Sequence, residues 1–176
     1  RFRKSVVYIW RHDVSGAAGV IINKKCQQPD FKHICNEGMI HRLPKVNHPV
    51  YYGGPVLTNV VGVLHSTDFV LSSTNELIDS KVAFTLDRKI LEVIARGEGP
   101  KNKMITLGMA NWTTGQLEEE LEHPRNPAMS WLILDYDEKF VFGQLDEDKP
   151  DDLWESCVSQ AIRAKTREIT SKVFKD

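Results

Sequence analysis

The stretch from Lys103 to Leu121 constrains the fold most. Lys103-Met104-Ile105-Thr106-Leu107-Gly108 is an apolar run that reads as a strand. A turn from Gly108 to Gly115 follows, with Trp112 inside it. Thr113 and Gln116 stand three apart, the spacing of a capping box, and open the acidic helix that carries Glu118, Glu119 and Glu120. Glu118 and Glu119 fall at the positive end of that helix dipole, where carboxylates are favoured. Strand, glycine turn and capped helix are enough to build a small concave site, but they do not say what it holds.

The rest of the chain alternates strand and helix signals. Ser5 to Trp10 is β-branched and aromatic, so it predicts a buried strand, and Ala17 to Asn23 predicts its hairpin partner across the polar turn His12 to Gly16. Pro29 to Met39 predicts a short helix with Phe31, Ile34 and Cys35 on one face. His48 to Val56 is a short strand entering the turn Gly53-Gly54-Pro55, and Val60 to His65 is the next strand. After a polar loop through Ser72, Ser73, Thr74 and Asn75, a strand is expected near Lys81 to Phe84. Thr85 is the expected cap of a helix that Gly97 closes, with Leu86, Ile90, Leu91 and Ile94 as its stripe. His123 to Pro127 ends the acidic helix. Trp131 to Leu134 and Phe140 to Phe142 read as two more strands around a charged turn. Gln144 to Asp152 is an acidic loop whose Asp151 or Asp152 caps a last helix with Trp154, Cys157, Val158 and Ala161 at helical spacing, fraying beyond Arg163. The pattern is that of one α+β domain spanning residues 1–176, with no repeat and no linker.

Bulk properties narrow the function classes. A length of 176 residues suits one domain with a sizeable core. Its 23 basic residues are matched by 24 acidic ones, so no basic excess marks a nucleic-acid footprint, and direct DNA binding is not expected. No apolar run approaches the roughly 20 residues that span a bilayer. Three cysteines, Cys26, Cys35 and Cys157, are an odd set at irregular spacing, which points to reduced thiols and a cytoplasmic protein. Arg1 opens almost directly onto a strand, so a further N-terminal segment is expected to precede it.

Candidate chemistry is sparse. The six histidines His12, His33, His41, His48, His65 and His123 show no HExxH spacing, and Cys26 and Cys35 with His33 and His41 are irregularly placed, so no metal is expected. Gly-x-Ser-x-Gly is absent. Ser66 follows His65, but neighbours on a strand face opposite ways, which leaves no nucleophile–base pair and no catalytic residue to name. Gly53-Gly54 and Gly108 to Gly115 could cradle an anion, the second at a helix start. Neither matches a P-loop or a dinucleotide fingerprint, Glu118 and Glu119 would repel a phosphate, and tight turns explain the glycines as well. Trp112 reads either as packing over a sheet edge or as an exposed partner anchor.

These residues also assemble into a family pattern. Ser5-Val6-Val7-Tyr8-Ile9 with His12, then Gly16-Ala17-Ala18-Gly19-Val20-Ile21-Ile22-Asn23, resembles the opening hairpin signature of the AlgH/YqgE family. Gly53-Gly54-Pro55-Val56 with Leu64-His65 resembles its second signature, and Gly108 to Glu118 with Glu120 its third. The matches keep the family's order from Ser5 to about Trp154. The resemblance implies a folded-up, mostly antiparallel sheet with packed helices, usually preceded by one more strand. It implies a bacterial, phage or plastid protein carrying the label of a transcriptional regulator, with no settled enzymatic activity; separately, no cofactor is expected. Two departures lie beside the third signature: Pro124 and Pro127 between Glu120 and Trp131, and Met109 and Asn111 where the family usually has an aromatic residue and a glycine.

The expectation is therefore a non-enzymatic regulator acting through protein contacts. Its surface would comprise His12, Asn23, Gly53, Gly54, Pro55, His65, Gly108, Trp112, Gly115, Gln116, Glu118 and Glu120. The alternative is a small-ligand or nucleotide-binding protein that uses the same glycine turns as its pocket. The protein partner is not named by the sequence, and weak homo-oligomerisation is left open.

Overall fold

The computed structural model describes residues 2–40, 42–74, 76–78, 81–124, 130–143 and 152–173. Its fold is α+β, as the sequence pattern predicts. Strands β1 (Val7–Asp13) and β2 (Gly16–Ile21) form an antiparallel hairpin around Val14 and Ser15. The Ser15 amide donates to Asp13 Oδ1 at 2.7 Å and tightens that turn. Helix α1 (Phe31–Ile34) runs on as a π-helical turn over Cys35–Met39, and Phe31, Ile34 and Cys35 are buried together, as the pattern predicts. Strands β3 (Val50–Tyr52), β4 (Val56–Ser66), β5 (Glu76–Ile78) and β6 (Val82–Thr85) follow, then helix α2 (Lys89–Ala95). Strand β7 (Lys103–Thr113) leads into helices α3 (Gln116–Glu122), α4 (Glu138–Phe142) and α5 (Asp152–Val173).

Strand β7 is the axis of the sheet. The order is β1-β2-β7-β4-β6-β5, with β3 lying parallel on β7 and the other pairs antiparallel. The two ends of the sheet curl toward each other. Trp10 on β1 stacks on Phe84 of β6, their ring centroids 4.9 Å apart, so side chains close a near-barrel. One face is covered by α4 and α5 through Val141, Leu153 and Cys157, packed on Val20, Leu64, Val82, Phe84 and Met104. The segment 31–35 and α2 close a second core with Val50, Val61, Val63 and Ile105. A third and smaller core joins Ala17, Ala110, Trp112 and Leu117. The three cysteines are free, and burial raises each thiol, Cys157 to about 11, so they are packed thiols rather than nucleophiles.

Several sequence expectations are corrected. The strand expected to end at Gly108 continues to Thr113, because Gly108 is a kink within β7 (φ +73) and not its end. The strand from Ser5 to Trp10 is an edge strand in which only Trp10 is fully buried, among residues 7–13. Thr85 caps no helix. It ends β6, fully buried, and α2 starts later, with Asp87 Oδ1 accepting from the Lys89 amide. Residues 131–137 form no strand, and the second strand candidate lies in α4, whose cap is Asp137. Strand β5 was not expected. Helix α5 continues to Val173 instead of fraying beyond Arg163. His41, Asn75, Arg125 to Pro127 and Gln144 to Asp151 lie outside the described residues.

Candidate functional site

The predicted surface separates into three physically different groups. The first is a crossing of two backbones. Chain leaving β3 on one edge of β7 must reach β4 on the other edge, and it crosses β7 at Gly53-Gly54. The Gly53 amide donates to Leu107 O and Gly53 O accepts from Ile21, both at 2.8 Å. A Cβ on Gly53 would lie 2.2 Å from Gly108 O, one on Gly54 2.3 Å from the Met109 carbonyl, and one on Gly108 2.5 Å from Gly54 O. Only main chain without side chains passes here. Gly108 also reverses the facing of β7, so that Met104 and Met109, five apart, share one core. The space a side chain would take at Gly53, Gly54 and Gly108 is therefore filled by main chain. Pro55, half-buried, leads from the crossing into β4.

The second group consists of buried polar clamps. Asn23 is 3% exposed; its Oδ1 accepts from the Val6 amide and its Nδ2 donates to Lys4 O, both at 2.8 Å, which fixes the chain entering β1. His65 is fully buried. Its Nδ1 meets Ser66 O at 2.9 Å and its Nε2 meets Thr85 Oγ1 at 2.9 Å. A carbonyl only accepts, so the proton sits on Nδ1 and Thr85 donates to Nε2. Thr74 Oγ1, 3.2 Å from Thr85 Oγ1, then donates to it and accepts from the Leu71 amide. This chain ties the 71–74 loop to β4 and β6. Because Ser66 points away from His65, the imidazole is no base for it.

Burial lowers the affinity of His65 for a proton, and the Ser66 carbonyl and Asp68 oppose this only in part. His48 is shifted the same way by burial and then by Lys103. The unfolded chain therefore takes up protons first as pH falls below the ordinary histidine value, and stability declines from there toward the lower folded value. The unfolding free energy measured with urea should fall between pH 7 and pH 5, by at most about 1.4 kcal/mol per pH unit for each histidine. His65→Gln should flatten that slope. An unchanged slope in the variant would remove His65 as its source.

The third group meets at the shoulder between the β1–β2 hairpin and α3. His12 Nε2 stands 2.5 Å from Glu118 Oε1, and both side chains are 47% exposed. The amide of Glu118 itself and then the His12 ring hold the Glu118 carboxyl below the usual range. Thr114 Oγ1 donates to Val14 O at 3.1 Å and docks the hairpin tip beside the helix start, leaving the Val14 side chain 93% exposed. The N-cap is Gly115 (φ +72), not Thr113. Half of the expected capping box survives: Gln116 Oε1 accepts from the Thr113 amide at 3.1 Å, while the threonine hydroxyl donates to the same oxygen instead of accepting from the helix.

Beneath this rim lies an aromatic floor. Trp112 is 3% exposed, so it is core and not a surface anchor. It stacks on Phe2 at 5.9 Å and meets Trp131 edge-on at 6.0 Å. Glu120 Oε2 accepts from both indoles, Trp112 at 3.2 Å and Trp131 at 2.9 Å, and Glu120 Oε1 accepts from Gln116 Nε2 at 3.0 Å. Trp131, Phe2 and Val14 were missed by sequence reasoning. The indole of Trp131, at helical distance from nothing, gave no signal that it shared a carboxylate with Trp112. Among the described residues no group of histidine, cysteine or carboxylate side chains is placed to hold a metal, and no helix is long and apolar enough to cross a membrane.

The chain is similar in sequence and fold to known proteins. A family model described as AlgH-like matches residues 1–164. A UPF0301 protein of Methylobacterium nodulans is 38% identical over 150 residues, 81% of this chain and 69% of the relative. A UPF0301 protein of a Bradyrhizobium species is 35% identical over 159 residues, 86% of this chain and 71% of the relative. The solution structure of the AlgH protein from Pseudomonas aeruginosa superposes with a TM-score of 0.70 at 29% identity, covering 90% of this chain and 78% of that one. A crystal structure of a protein from Corynebacterium diphtheriae, at 17% identity and a TM-score of 0.56, shares the fold.

Proposed function

The chain belongs to the AlgH-like family, and from that premise we propose that it is a non-enzymatic cytoplasmic regulator that works by binding another protein at the shoulder of Val14, His12, Gly115 and Glu118. The observation that carries this reading is the division of the signature residues. Those inside the fold are spent on a backbone crossing, on polar clamps and on an aromatic floor. Those outside, His12, Gly115 and Glu118, lie together on a rigid base beside an exposed valine. An apolar point within a polar, preorganised rim suits a protein partner, since little ordering entropy is lost on contact. Direct DNA contact is disfavoured by a net charge of −1 and by Glu118 and Glu119 at the helix start.

A photo-crosslinking residue at position 14 should yield a discrete adduct in cells, whereas the same residue at exposed position 162 on α5 should not. Val14→Asp with His12→Ala should reduce capture about tenfold or more, while the thermal midpoint moves by no more than a few degrees, as for other surface changes. Equal adducts at positions 14 and 162 would remove the shoulder as the binding surface.

A further inference from the structure

Where β4 ends and β7 begins, an open cavity of about 360 Å³ is lined by Ser66, Asp68, Lys81, Lys101, Asn102 and Tyr136, with Glu138 and Phe142 on the α4 side. Its floor is held by a reciprocal clamp. The Ser66 amide donates to Asn102 O at 2.9 Å, and the Asn102 amide donates to Ser66 Oγ at 3.0 Å.

The charges in this cavity are not equivalent. Asp68 accepts from Ser66 Oγ and from the Lys101 amide, the latter at 3.1 Å. Glu138 Oε1 accepts from Asn102 Nδ2 at 2.7 Å. Both carboxylates thus accept hydrogen bonds from the floor and keep their charge beside the two lysines. The ammonium groups of Lys81 and Lys101 have three donors each, and neither makes an ion pair with a described residue. Lys81 Nζ stands 5.5 Å from the centre of the Tyr136 ring, which with Phe142 forms a half-buried aromatic wall. Two ammonium groups beside an aromatic wall, one near Asp68 and one over the Tyr136 ring, suit a flat ring bearing an anionic group.

We propose that this cavity binds a small organic anion, a phosphate or carboxylate carried on a planar ring, with Lys81 and Lys101 on the charge and Tyr136 and Phe142 against the ring. The site is separate from the shoulder and stands or falls independently of the partner reading. Phenyl phosphate titrated into isotope-labelled protein should shift the backbone amide resonances of Ser66, Asp68, Lys101 and Asn102 saturably, and phenol should not. Benzoate saturating in place of phenyl phosphate supports the same site with a carboxylate as its group. Lys81→Gln with Lys101→Gln, both at exposed positions, should weaken binding about tenfold or more while resonances elsewhere stay in place. Absence of saturation by either anion, an equal response to phenol, or undiminished binding by the double variant would overturn the proposal.

Discussion

Gly54→Ala should leave little folded protein. The added methyl would sit 2.3 Å from the Met109 carbonyl carbon and oxygen and 2.5 Å from the Ala110 nitrogen, all of them main chain in the central strand. The glycine also holds φ +151, which an alanine rarely adopts. Relief would require β7 to move away from the crossing, and β7 pairs with β2, β3 and β4 at once. We expect a loss of about 4 kcal/mol or more, a large part of the roughly 5–15 kcal/mol that holds a typical domain together. Gly115→Ala is the matched control. Its φ is +72, but nothing lies within 4 Å of the new methyl, so only the left-handed backbone cost of about 1–2 kcal/mol remains. Urea unfolding of the two variants side by side measures the difference. A Gly54→Ala protein as stable as Gly115→Ala would show that the two backbones do not cross as closely as described.

That contrast also explains how much of the molecule was legible in the sequence. Strands rich in β-branched residues announced themselves, as did the hairpin around Val14 and Ser15, because those signals are local. Glycine is where local reading fails. Gly108 and Gly115 both have positive φ, and the sequence shows the same letter, but one permits a strand to bend under a crossing chain and the other starts a helix. Thr85 was misread for a related reason: its partner His65 is 20 residues away, and before a helical stripe a lone threonine looks like a cap. The apolar run Trp131 to Leu134 has the composition of a strand, yet it pairs with no described strand. Trp131 turns inward to Glu120, and Leu132 and Ile133 are left 53% and 76% exposed. The family signatures do not distinguish the shoulder from the crossing and the clamps, which only burial and hydrogen bonding separate.

Trp112→Ala should then be a stability variant and not an interface variant. The indole is 3% exposed and fills the space between Phe2, Trp131 and Leu117 on one side of β7. Removing a buried tryptophan costs about 3–5 kcal/mol through lost transfer energy and the cavity that remains. Two further effects add to it. Phe2 loses its stacking partner, and the Glu120 carboxylate loses one of two indole donors in a half-buried place. Trp112→Phe separates these contributions in part, since it keeps a ring for Phe2 and Trp131 but removes the N–H together with part of the buried indole volume. Trp131 and Gln116 still serve Glu120 in that variant, so a loss of about 1–3 kcal/mol is expected. Because α3 rests on this floor through Glu120 and Leu117, Trp112→Ala should also loosen the helix that presents Glu118 to His12. Lost partner capture in that variant would follow from the loosened floor, whereas lost capture in the Val14 and His12 variants would follow from the surface itself. Chemical unfolding decides: if Trp112→Ala falls within about 1 kcal/mol of the parent chain, the indole is not the floor of the shoulder, and its exposure to a partner becomes the better account.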